Sequence, residues 1–215
     1  MRKTAIVFAI ALCSASLYAQ KPKTIEYTGS VKPQATTMDE PTALTKIFSN
    51  LGPSTGAYSA DAWLLTGPLS SAGGSQFIAM PFTPKADSHV QQLRAAVQYN
   101  GSGANQVNLS LYSDAGGIPG SRLAGPITVT NLPTYFTCCA TAVATLHTSV
   151  AVTAGTQYWV VADTPTSGTG SDFNGVWGFV PPSKVLVGAE ENEGGWFSFA
   201  AGSNEPAGAV LGTTP

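Results

Sequence analysis

The sequence predicts an all-β chain folded as an antiparallel β-sandwich of jelly-roll type. Three observations predict it. Charged residues are only 10% of the 215, against roughly 25% in an ordinary soluble domain, while 43% are hydrophobic. That balance excludes a coiled coil, a Lys/Glu-rich bundle and a polybasic nucleic-acid binder. The 23 glycines and 15 prolines break every long window that would otherwise keep a helical period of 3.6. Between those breaks apolar residues alternate at period two, the spacing of half-buried strands.

The chain opens with a short basic start, Met1-Arg2-Lys3, followed by an apolar run from Thr4 to Leu12 and then small residues up to Ala19. This is the pattern of a secretory signal peptide over residues 1–19. The run is too short for a membrane helix, which needs about 20 apolar residues. Cleavage is expected after Ala19, with Ala15 as the alternative position. A second alternative is acylation at Cys13, but Leu12 before it is larger than a lipoprotein signal prefers. Loss of Arg2 and Lys3 leaves eight basic against twelve acidic residues, a net charge of −4. Such a chain attracts neither nucleic acid nor anionic lipid. Thr213-Thr214-Pro215 carries no apolar tail or basic anchor, so free secretion to the periplasm or cell exterior is expected. The oligomeric state is left open.

Residues 20–45 are polar and punctuated by Pro22, Pro33 and Pro41, as in a linker or extended leader. Residues 42–50 suit a helical turn or a first short strand, and the β-sandwich domain is expected over residues 46–213. Leu93, Ala95, Val97 and Tyr99 alternate on one strand, and Val107, Leu109 and Leu111 on the next. The Asn100-Gly101 turn signal between them predicts a hairpin. Further strands are expected at 76–82, 127–131, 142–146, 158–162, 175–180, 196–200 and 209–213. In the segment Ala154-Gly155-Thr156-Gln157-Tyr158-Trp159-Val160-Val161, both faces are apolar. This predicts a central, buried strand with Trp159 in the core.

Two stretches carry a resemblance. Residues 107–120 read VNLSLYSDAGGIPG. Residues 131–161 contain NLPTYFTCC and VAVTAGTQYWVV, and GVWGF and GGWF follow in order. Together they resemble the bacterial secreted modules called choice-of-anchor domains, most nearly the R type, over residues 60–213. The resemblance implies an exported β-sandwich of unknown function. It supplies no catalytic residues.

Candidate functional residues are few. Asp114 is placed to accept N–H groups of its own turn, where Gly116 and Gly117 allow positive φ. A Ca2+ site there would need further oxygens, from Asp61, Asp87, Asp163 or Asp172; otherwise no cofactor is expected. Adjacent Cys138 and Cys139 are open to three readings: a vicinal disulfide, two buried thiols, or intermolecular pairing or metal. In an oxidising compartment pairing is favoured, although neighbouring Cα atoms are closer than disulfides ordinarily want. His89 and His147 both read as exposed residues near strand ends, without the partners of a catalytic triad. Glu190, Glu191 and Glu193 read as a solvated loop, the one place for a carboxylate pair of a hydrolase. The chain is therefore expected to be a non-catalytic structural or binding module of the cell exterior, with a glycan or cell-surface component as partner. Trp63, Trp177, Trp196 and Tyr135 are the candidate platform for stacking sugars.

Overall fold

The computed structural model describes residues 23–26, 32–33, 44–53, 57–180, 188–191, 195–199 and 203–215. The expected signal peptide, its cleavage position and Cys13 lie outside the described residues, as does Glu193. Along the chain, β1 (Thr24–Ile25) and β2 (Lys32–Pro33) precede β3 (Thr45–Ser49), β4 (Ala62–Thr66) and β5 (Phe77–Phe82). Next come β6 (Ser88–Ala95), β7 (Val97–Ser102), β8 (Gln106–Asp114) and β9 (Pro119–Thr130). After β10 (Thr137–Cys138) run β11 (Ala142–Val152), β12 (Tyr158–Asp163) and β13 (Asn174–Gly178). The series closes with β14 (Ala189–Glu191), β15 (Trp196–Ser198) and β16 (Gly208–Thr213).

These strands make an antiparallel β-sandwich. One sheet has six strands in the order β15-β14-β5-β12-β8-β9. Two four-stranded sheets, β11-β6-β16-β3 and β1-β4-β13-β7, form the rest. The two smaller sheets meet where β6 runs on into β7. There the Ala96 N–H donates to Ala207 O, and Ala96 O accepts from the Gly178 N–H. A short parallel pairing joins β10 to β2. Apart from the consecutive pairs β8–β9 and β14–β15, neighbours in the three antiparallel sheets are non-consecutive along the chain, as in a jelly roll: β12 sits between β5 and β8, and β16 between β6 and β3. Within residues 20–45, β1 pairs with Ala62 and Trp63 of β4.

The layers enclose one main core. Ile78, Met80, Leu109, Leu111 and Val160 of the six-stranded sheet lie in it with Val90, Leu93, Trp177 and Val210 of the other sheets. Period-two alternation is therefore what places these side chains inside. β12 is central and buried on both faces, with Trp159, Val160, Val161 and Ala162 all sealed from solvent, as the sequence predicts.

The structure corrects two expected elements. The single strand expected through Leu93, Ala95, Val97 and Tyr99 breaks at Ala96, with Leu93 and Ala95 in β6 and Val97 and Tyr99 in β7 of another sheet. β7 and β8 do not form a hairpin: β7 pairs with β13, while β8 pairs with β12 and β9. Asn100 and Gly101 lie inside β7, as a bulge between the pairs Tyr99–Gly175 and Ser102–Asn174, and the connection at residues 103–105 carries the chain from one layer to the other. It is held across the sandwich rather than along it. Gly103 has φ 75°, and its Cα lies so close to Asp172 O that a Cβ would sit 1.9 Å from that oxygen. The Ala104 N–H donates to the Asp172 carboxylate. Turn chemistry is the same for both connections, so local residues alone do not separate them.

Candidate functional site

Asp114 joins the two sequence motifs into one structure. It ends β8, and its carboxylate accepts from the N–H groups of Gly116 and Gly117 in the turn that follows. It also accepts from two residues of the second motif. Trp159 Nε1 and Gln157 Nε2 each donate to Oδ1 at 2.8 Å. Burial raises the carboxyl, but the hydrogen bonds from Trp159, Gln157, Gly117 and Gly116 outweigh it and hold it below its ordinary value. The expected N–H acceptance within the turn is present, and the link to Trp159 is new. Every described partner of this carboxylate is a nitrogen donor. Asp87 and Asp172 serve other loops, accepting from the N–H groups of Ala154 and Ala104. Asp163 accepts from Asn108. Among the described residues no three His, Cys, Asp or Glu side chains gather as metal ligands would.

The tryptophans divide differently from the sequence reading. Trp63 is 4% exposed and Trp177 fully buried, so neither ring can carry a sugar. Trp63 packs on Phe199 at 4.3 Å and Phe179 at 5.3 Å, and its Nε1 donates to Asn204 O. Trp177 Nε1 donates to Ala207 O at 2.7 Å. Tyr135 is buried too, with its hydroxyl donating to Ala60 O and its ring stacked on Phe136. The reason is common to all three: each has a polar tip satisfied by a backbone carbonyl, which makes a large ring acceptable inside. Trp196 alone of the four candidates is half-buried and reachable. It lies on β15 opposite Glu191.

Cys138 and Cys139 form a vicinal disulfide across a cis peptide bond, and both are buried. The surrounding backbone is clamped. Tyr58 Oη donates to Ala140 O at 2.7 Å, and Gln98 Nε2 donates to Thr137 O.

The glutamates are not a solvated loop. Glu190 and Glu191 belong to β14, which pairs with β5. Alternation puts Glu190 on the same face as core residue Ile78, and it is only 4% exposed. Its Oε2 has no hydrogen-bond partner among the described residues. Burial pushes its carboxyl up to about 7. Because that value lies above the unfolded one, the folded state is favoured while Glu190 is protonated. The benefit is complete below the unfolded value of about 4.3 and disappears as pH rises through about 7. Glu190→Gln is therefore expected to raise stability at pH 8 by about 2 kcal/mol and to leave it nearly unchanged at pH 4. Urea melts at the two pH values check this.

Across the outer face of the six-stranded sheet lies a polar network. Thr128 Oγ1 donates to Asn108 Oδ1, and Asn108 Nδ2 donates to Asp163 Oδ1 at 3.1 Å. Burial pushes Asp163 up to about 6, with the Glu191 carboxylate adding to the rise while Asn108 and Arg122 oppose it. Burial and the Asp163 charge raise Tyr112 beside it, against the pull of Arg122.

A large cavity opens between the two sheets where edge strands β9 and β11 face each other. It measures about 510 Å3, within the range of small-ligand clefts. Both strands bulge there. In β9, Gly125 and Pro126 together oppose the single residue Ser110, one residue in excess, between the pairs Leu111–Ala124 and Leu109–Ile127. Gly125 has φ 90°, and a Cβ would meet Leu109 O at 2.8 Å. In β11, Leu146 to Ser149 carry no ladder pairing between Thr145 and Val150. The rim and walls come from Leu123, Pro126, Ile127, His147, Thr148 and Ser149, and no lining residue is a carboxylate, lysine or arginine. His147 is exposed here, while His89 is exposed on β6. Bulges of this kind leave hardly any periodic signal, and the sequence reading missed the cleft. Comparison with protein-family models, curated proteins and solved structures finds no match.

Proposed function

We propose that this chain is an exported, non-catalytic β-sandwich module of the cell exterior that binds a small uncharged ligand in the cleft between β9 and β11. The observation that carries the binding reading is the cleft itself: about 510 Å3, bounded by two bulged sheet edges, with no carboxylate, lysine or arginine in its lining. The lining combines the apolar Leu123, Ile127 and Val150 with Thr148, Ser149 and His147. That mixture suits an amphipathic molecule with a few hydrogen-bonding groups. The signal-like leader and the resemblance to secreted choice-of-anchor domains support export. Support for a non-catalytic role comes from the structural employment of the best candidate side chains. Asp114 is occupied by four donors, and Trp63, Trp177 and Tyr135 are packed inside.

The test is a ligand-observed NMR screen of neutral mono- and disaccharides and capped dipeptides. Hits are expected on the wild type and should vanish on Ser149→Trp, whose indole would fill the cleft. Hits that persist on Ser149→Trp, or none at all on the wild type, would contradict the reading.

A further inference from the structure

The register of the six-stranded sheet aligns one side chain from every strand in a single row on its outer face. Trp196 on β15 is opposite Glu191 on β14, and Glu191 is opposite Phe77 on β5. The register that pairs Ile78 with Ala162 sets Phe77 beside Asp163 on β12. Asp163 is opposite Asn108 on β8, and Asn108 is opposite Thr128 on β9. The face is the outer one, because Trp159 and Val161 on the same side of β12 pack with Ala79, Ala189 and Trp196 in a cluster separate from the main core. Strands are about 4.8 Å apart, so the row runs roughly 24 Å. Trp196, Glu191, Phe77 and Asp163 are partly exposed and Thr128 is exposed, while Asn108 is buried between Asp163 and Thr128.

We propose that this row is a binding track for a neutral glycan chain laid across the strands. Its composition alternates ring, carboxylate, ring, carboxylate, amide, hydroxyl. Rings offer an apolar plane to the C–H face of a pyranose. Carboxylate oxygens accept from the hydroxyls at its edge. The Thr128–Asn108–Asp163 hydrogen bonds hold that end of the row in one orientation, so little rotamer freedom is lost on binding. Charge complementarity sets the occupant. Two carboxylates in the row, with Arg122 two rows away opposite Tyr112, favour hydroxyl donors and repel uronic, sialylated or sulfated chains. The row also ends at Thr128, next to Ile127 of the cleft, but the track does not need the cleft to be filled.

A glycan array carrying neutral hexose oligosaccharides beside uronic and sulfated ones tests the proposal. The tightest neutral oligosaccharide is then titrated by tryptophan fluorescence. Neutral chains are expected to bind and acidic ones not. Trp196→Ala and Asp163→Asn should each weaken binding at least tenfold with thermal melts close to wild type, and Ser149→Trp should leave it intact. Absence of neutral binders, equal capture of acidic chains, or unchanged affinity in Asp163→Asn and Trp196→Ala would each overturn the proposal. Neutral binding lost in Ser149→Trp but kept in the two row variants would assign the glycan to the cleft and overturn the track alone.

Discussion

Replacing Asp114 by alanine is expected to lower the unfolding free energy by about 4 kcal/mol, because charge-assisted hydrogen bonds contribute about 1.5–3 kcal/mol each and do not add in full. The carboxylate is the acceptor for Trp159 Nε1, Gln157 Nε2 and two turn N–H groups. Trp159 is completely buried, so its indole N–H loses its partner with no water to replace it. Asp114→Asn should cost less, since one carbonyl oxygen remains to face the indole. Guanidinium melts check both variants, and a midpoint shift at unchanged slope is the expected form. The pH dependence has the opposite sign to that of Glu190. The carboxyl of Asp114 is held low in the folded chain, so its stabilisation is present above the unfolded value of about 3.9. It is lost as pH falls through the lower folded value. In Asp114→Ala the acid limb of the stability profile should flatten. A loss below about 1 kcal/mol would mean that the carboxylate is mostly solvated.

Trp177→Ala should be equally damaging, at about 4 kcal/mol, the usual scale for removing a large buried aromatic. Trp177 is fully buried in the middle of β13, between β4 and β7. Its Nε1 is bonded to Ala207 O, next to the joint between the two four-stranded sheets. Trp177→Phe fills much of the space but leaves that carbonyl without its side-chain donor. About 2 kcal/mol is expected from it. Differential scanning calorimetry distinguishes the two: Phe should retain a cooperative transition at reduced temperature, and Ala should move it much further. Equal effects would show that the hydrogen bond, and not ring volume, dominates.

Much of the fold was legible in the sequence, for one physical reason. Strands buried on one face alternate, and β5, β8, β12 and β16 all carry that pattern or the doubly apolar pattern of a central strand. β4 was missed. Ala62-Trp63-Leu64-Leu65 is apolar on both faces and all buried, and a short apolar run has no period to announce its type. Trp63 was therefore left as a surface candidate. The false hairpin at Asn100-Gly101 shows the same limit from the other side. An Asn-Gly pair reports a positive φ, which a bulge inside β7 uses as readily as a turn, and the layer in which the next strand pairs depends on distant partners such as Asp172. The Asp114–Trp159 bond spans 45 residues. A buried tryptophan signals only that its N–H needs an acceptor somewhere. Glu190 was misread because its acidic neighbours suggest solvent, yet β14 lies against β5 and alternation turns every second side chain inward. The cleft depends on bulges in two strands far apart in sequence, which no single window contains.

The most direct measurement is hydrogen exchange at the four tryptophan indoles. Trp63, Trp159 and Trp177 each donate to a protein oxygen within the fold, whereas Trp196 is only partly buried at the edge of its cluster. Three slowly exchanging indole protons and one fast one, assigned to Trp196, are the result this architecture predicts. A fast Trp159 would contradict the latch at Asp114, and a Trp196 as protected as the others would contradict its place at the exposed end of the row.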